Sequence, residues 1–153
     1  MKLFAAIFLW LFFMPASAQA QSAWVKRCEG AACEIVQRLM DGQSKARVLE
    51  MAIGFPAGKD RSKDPARGVI ILPLGVDMSQ PFTLTIDEGA PLAFKVRYCL
   101  SDGCYAFLTL PPDVLAGMKA GRLGVLTFKT FDGQPGRLPL ALDGFSAALS
   151  ALE

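Results

Sequence analysis

Apolar and polar positions alternate with a period of two along much of the chain. In Phe82-Thr83-Leu84-Thr85-Ile86-Asp87 the large apolar side chains fall on one face and the threonines and Asp87 on the other, which predicts a half-buried strand. Leu92-Ala93-Phe94-Lys95-Val96-Arg97-Tyr98 alternates again with Lys95 and Arg97 facing outward, and Glu88-Gly89-Ala90-Pro91 supplies a turn, so the two runs predict an antiparallel hairpin. Cys33–Leu39 and Ala46–Ile53 form a second predicted hairpin through Asp41-Gly42-Gln43-Ser44. The continuous apolar run from Gly68 to Val76 predicts a buried strand ending near Pro73. Tyr105–Thr109, Leu123–Phe131 and Arg137–Leu142 add further strands, the last two joined at Asp132-Gly133.

Helical signals are few. Pro112 and Asp113 ahead of Val114–Lys119, with Gly121 behind, predict a two-turn helix of the right polarity. Phe145, Leu149 and Leu152 repeat at helical spacing in the tail and predict a short amphipathic helix. Many short strands with regular turns and little helix predict an all-β fold: an antiparallel β-sandwich or a partly open barrel with one or two short helices. The charged, proline-bearing segment from Phe55 to Arg67 reads as an exposed, mobile loop.

The first residues follow a different pattern. Lys2, an apolar stretch to Met14, Pro15 and the small residues Ala16-Ser17-Ala18 form the three parts of a secretory signal peptide, with cleavage expected after Ala18 or, at the overlapping site, after Ala20. The apolar run is shorter than the roughly 20 residues a spanning helix needs, and no basic stop-transfer flank follows it. Residues 19–153 are then one mature domain of about 135 residues with no transmembrane segment, large enough for its own core. The expected location is the periplasm, with outer-membrane association or secretion as alternatives.

Charge and composition narrow the chemistry. Sixteen basic residues against fourteen acidic ones, scattered without a long run of one sign, leave no footprint for nucleic acid. The chain has no histidine, which removes the usual general base, the Ser-His and Cys-His nucleophile pairs and the commonest zinc ligand. No serine lies in a Gly-x-Ser-x-Gly elbow and no glycine-rich phosphate loop is present. Asp87 and Glu88 are adjacent on a strand and point to opposite faces, so they and Asp102 read as turn-stabilising groups. Phe82, Phe94, Tyr98, Phe107, Phe128 and Phe131 read as core, and Trp24 as a buried plug anchoring the first strand. No catalytic, cofactor-binding or metal-ligating residue is assigned, and no enzyme activity is expected.

Cys28, Cys33, Cys99 and Cys104 form two pairs of identical spacing. In an oxidising compartment that pattern implies disulfides, and of the three possible connectivities Cys28–Cys33 with Cys99–Cys104 is favoured, because each closes a tight loop between strands. A Cys₄ zinc site or a redox dithiol is the less favoured alternative, since structural zinc thiolates belong to reducing compartments and export argues against one, and a redox pair is more often Cys-x-x-Cys at a helix N-terminus.

The cysteine blocks Trp24–Cys28 and Tyr98-Cys99-Leu100-Ser101-Asp102-Gly103-Cys104-Tyr105, the run Ile71–Val76, and the tail Leu138–Leu149 with its Gly144-Phe145-Ser146-Ala147-Ala148-Leu149 ending together resemble the invasion-associated locus B family of exported bacterial proteins. The resemblance covers nearly the whole mature chain. It implies a small β-rich, envelope-associated protein without an assigned enzyme activity, cofactor or catalytic residue. The expected function is thus a non-enzymatic periplasmic interaction module with an envelope protein or small ligand as partner, the charged segment from Lys59 to Arg67 being its most accessible surface. The alternative is a periplasmic carrier holding a small apolar ligand or lipid inside a barrel.

Overall fold

The computed structural model describes residues 23–61 and 63–152. The predicted signal peptide and its cleavage sites therefore lie outside the described residues. The chain order is β1 (Val25–Glu29), β2 (Ala32–Met40), β3 (Arg47–Gly54), β4 (Ala66–Leu72), β5 (Phe82–Ile86), β6 (Leu92–Phe94), β7 (Val96–Leu100), β8 (Gly103–Leu110), α1 (Pro112–Ala120), β9 (Leu123–Lys129), β10 (Pro135–Ala141) and α2 (Phe145–Ser150). A six-stranded sheet in the order β1-β2-β3-β4-β8-β7 stands beside a four-stranded sheet in the order β10-β9-β5-β6, and every pairing is antiparallel. These are two open sheets with free edges, so the fold is the sandwich of the two architectures expected and no closed barrel forms.

Alternation decides which side chains go inside. From the larger sheet Ile35, Met51, Ile53, Ile70, Ala106 and Leu110 are wholly buried, and Phe82, Leu84, Leu126 and Leu140 meet them from the smaller one. Phe82 lies between the rings of Phe94 and Phe128, each with its centroid 5.8 Å away. The helices close the ends of the core with Leu115 and Met118 of α1 and Phe145 and Leu149 of α2. Pro112 opens α1 and Gly121 ends it, its N–H donating to the carbonyl of Gly117. Gly121 has an ordinary negative φ; what requires glycine is space, because a Cβ there would meet Ile86 Cγ2 at 2.6 Å.

Trp24 is buried and locks the two sheets together. Its Nε1 donates to the carbonyl of Ala141 (2.8 Å), its ring stands edge-on to Phe145 (5.0 Å), and Gln37 Nε2 donates to the same carbonyl at 2.7 Å. Gln37 points into the core from β2, and this bond satisfies a buried amide that would otherwise cost on the order of 1–3 kcal/mol. The carbonyl belongs to the last residue of β10, an edge strand.

Three expectations are corrected. The run Leu92–Tyr98 is not one strand of a hairpin: β6 pairs with β5 in the smaller sheet, whereas β7 pairs with β8 in the larger one, and the chain changes sheets at Lys95. Leu92, Phe94 and Val96 all face the same core, so alternation continues across the switch and carries no trace of the change in hydrogen-bonding partner. Among the six aromatics read as core, Phe82, Phe94 and Phe128 are buried, but Tyr98, Phe107 and Phe131 are exposed by 42%, 47% and 88%. A bulge between Val96 and Tyr98 turns Tyr98 outward, Phe107 alternates with the inward Ala106 and Leu108, and Phe131 falls beyond the end of β9 in the turn. Finally, β4 begins at Ala66, inside the segment read as loop. The rest of that segment is held down by Arg61, whose guanidinium covers the Phe55 ring and donates to the carbonyl of Leu152.

Candidate binding face

The two sheets differ on their solvent sides. The smaller one presents Thr83, Thr85 and Thr127, with Thr83 directly opposite Thr127, and beside them Val125 and one well-exposed large apolar side chain, Leu123. The larger one presents Val25, Met40, Tyr98, Leu100 and Phe107, all between 42% and 66% exposed, together with Arg27, Arg38, Arg67 and Arg97. Tyr98 stacks on Tyr105 with ring centroids 5.4 Å apart, and Phe107 lies 6.1 Å from Tyr98, so the aromatic side chains form one platform across β7 and β8.

At the β1–β3 side a network of charges crosses this face. Glu50, only 5% exposed, accepts from Arg38 Nε at 2.7 Å, Arg47 Nη1 at 3.3 Å and Arg27 Nη1 at 3.4 Å. Arg27 Nε also donates to Glu34 at 2.9 Å. Arg47 Nη2 reaches the Asp102 carbonyl (2.7 Å) and carboxylate (3.3 Å), and the Tyr105 hydroxyl donates to that carboxylate at 2.7 Å. Every cation in the network thus has an acid, the condition under which a largely buried carboxylate is tolerated. Burial pushes the Glu50 carboxyl up, but the hydrogen bonds and charges of Arg38 and Arg47 outweigh it and leave its pKa below the ordinary glutamate value. The Asp102 carboxyl is likewise lowered, first by the Tyr105 hydroxyl.

A carboxyl whose pKa is depressed on folding stabilises the fold above its unfolded pKa of about 4.3 and loses that contribution as the pH falls through and below this value. Thermal unfolding followed from about pH 7 to about pH 3 should therefore show Glu50→Gln well below the wild type at neutral pH, with the gap closing in acid. Parallel curves would rule out this role for Glu50.

The cysteines flank the same face. Cys28 and Cys33 are register partners with sulfurs 2.05 Å apart and Cα atoms 4.1 Å apart; Cys99 and Cys104 are register partners with sulfurs 2.02 Å apart. Each pair sits one register step behind a two-residue turn, Gly30-Ala31 in one hairpin and Ser101-Asp102 in the other. β1 and β7 are the two edge strands of the six-stranded sheet, so the repeated Cys-x₄-Cys spacing marks one device used at both edges. The four sulfurs stand at opposite edges and do not converge as a zinc site would require. The Glu50 network runs from Arg27, beside Cys28, to Asp102, between Cys99 and Cys104, and so links the two hairpins across the sheet.

The other singled-out acids have structural surroundings. Asp87, at a left-handed φ of 47°, accepts the backbone N–H groups of Arg122 and Leu123 and pins the connection from α1 to β9. The sequence reading missed Arg27, Arg38, Arg47 and Glu50 as a group; the signal available was Glu50, a charged residue inside a β-branched and apolar run.

Residues 24–153 match the family model described as Invasion associated locus B (IalB) protein. The chain belongs to this family. This IalB family member is 28% identical over 135 residues to invasion protein B homologs of two Brucella abortus strains, an alignment covering 85% of this chain and 75% of theirs. The crystal structure of invasion associated protein B from Bartonella henselae superposes with a TM-score of 0.77 at 25% identity, covering 86% of this chain and 92% of the other. The Bartonella protein thus shares this sandwich, and the family resemblance drawn from the cysteine blocks and the tail holds. Among the described residues no helix is long and apolar enough to cross a membrane.

Proposed function

We propose that this IalB family member is an exported, non-enzymatic interaction module of the bacterial envelope, and that it meets its partner through the outer face of the six-stranded sheet. One observation carries the reading: five large apolar and aromatic side chains, Val25, Met40, Tyr98, Leu100 and Phe107, are left in solvent on that face, against Leu123 alone among the threonines of the opposite outer surface. Exposed apolar groups gathered with arginines are the composition of recognition surfaces. The signal-peptide pattern and two cysteine pairs at bonding distance support a periplasmic address, where thiols oxidise.

The side chains that alternation sends inward fill the space between the sheets. Among the described residues these side chains form one continuous buried apolar cluster, which supports a packed interior over a ligand-holding one. A trough of about 690 Å³ lined by Arg27, Glu34, Ala52, Phe55, Arg67 and Val69 opens at the surface.

A photo-crosslinking side chain placed at Tyr98 should give discrete protein adducts in intact cells, whereas the same group at Thr83 should give none. Equal adduct patterns from the two positions, or none from Tyr98, would defeat the proposal.

A further inference from the structure

The outer face of the six-stranded sheet is electrostatically divided. Toward β1, β2 and β3, the cations Arg27, Arg38 and Arg47 are matched by Glu34, Glu50 and Asp102. Toward β4, β8 and β7 the matching stops. Arg67 of β4 donates only to the neutral Thr109 hydroxyl (2.6 Å), and among the described residues Arg67, Arg97 and Lys95 enter no ion pair.

These three cations surround one aromatic ring. Arg67, Arg97, Phe107 and Thr109 line a single hollow of about 360 Å³. Lys95, Arg97 and Phe107 line the adjoining hollow of about 340 Å³, and Arg67 also borders the 690 Å³ trough running toward β1. The floor of the trough is low because Ala52 and Gly54 carry little or no side chain.

From this we infer that the Arg67–Phe107–Arg97 hollow docks an acidic, extended segment of a partner protein, with carboxylates on the two guanidinium groups and an apolar side chain on Phe107. The inference rests on the interaction-module reading and names the partner's chemistry. A guanidinium offers a planar fork of donors that matches a carboxylate and is weakly hydrated, so it suits an interface where both groups lose water. Arg67 stands opposite Thr109 of β8, whereas Arg97 lies beside the bulge opposite Ala106 and Tyr105, so their backbones are two strand spacings apart across the sheet and three to four residues apart along it, about 15 Å in all. Both side chains line the one hollow beside Phe107, so acidic residues two or four apart on one face of an extended chain, about 6.6 or 13 Å from each other, can meet them. The hollow is shallow and broad, with no deep apolar slot for an acyl chain. Three cations are too few to track a nucleic acid backbone.

The test uses the mature protein and a fluorescein-labelled oligoglutamate peptide carrying one central phenylalanine, followed by anisotropy. Binding at low salt should weaken as salt rises. Arg67→Ala combined with Arg97→Ala should weaken it about tenfold or more. Phe107→Ala should weaken it by a smaller factor, and Arg122→Ala, on an exposed residue elsewhere, should leave it unchanged. All four positions are exposed, so the variants should melt with the wild type.

Equal binding by the wild type and the double variant, or absence of binding at low salt, would overturn the inference. Tighter binding of phosphatidylglycerol vesicles or of single-stranded DNA than of the peptide would also overturn it and assign the hollow to that class. The two readings fail separately: Tyr98 crosslinks without peptide binding would remove the acidic segment and leave the module, and peptide binding without crosslinks would do the reverse.

Discussion

Phe82→Ala should lower the unfolding free energy by about 3–5 kcal/mol, the range for deleting a fully enclosed aromatic side chain. Phe82 is 1% exposed and sits between Phe94 of β6 and Phe128 of β9, so its removal leaves a void with two unsupported rings rather than a site that can collapse. β6 contributes only three residues to its sheet, and packing against Phe82 is much of what holds it there. For a domain of this size the loss corresponds to a fall in Tm on the order of 10 °C or more, readable by circular dichroism. A change below about 1 kcal/mol would mean that the two sheets do not meet through this ring.

The second large effect concerns the cysteines. Replacing Cys28 and Cys33 by serine, or Cys99 and Cys104 by serine, should cost roughly 2 kcal/mol in each case, because each bond closes a loop of only six residues. The two losses should be nearly equal and nearly additive, since the pairs close loops of one size at opposite edges of the sheet. Chemical denaturation of the single-pair and four-serine variants measures both. If neither pair altered the midpoint, the bonds would contribute nothing to the folded state.

Much of the architecture was legible because period-two alternation reports directly on burial. The strands around Phe82–Ile86, the hairpin through Asp41–Ser44, both helices and the all-β class followed from that signal and from glycine and proline positions. Alternation is blind to hydrogen-bonding partners, so the passage of the chain from one sheet to the other at Lys95 left no mark in it. It also fails by one residue at a bulge, which is why Tyr98 reads as core and emerges on the surface.

The binding face was the least legible part. Arg27, Arg38, Glu50, Arg67, Arg97 and Phe107 come from six different strands or turns of register, and only the β1-β2-β3-β4-β8-β7 order brings them onto one surface. Residue size misled in the same place: Phe107 looks like core by its bulk, while its neighbours Ala106 and Leu108 take the inward positions.

The pairing of both rims of the larger sheet by sulfur has a directional consequence. At its turn end each outermost ribbon there stays bound to its neighbour, a restraint that neither edge of the smaller sheet has. Its rim at Ala141 is tethered by Trp24 and Gln37, which leaves the three residues of β6 as the weakest margin. Fraying that starts at Leu92 and travels past Lys95 meets the Cys99–Cys104 bridge within a few residues and halts. A protease that catches the breathing molecule would thus cut near the sheet crossing while the opposite surface, with its arginines and rings, stays assembled.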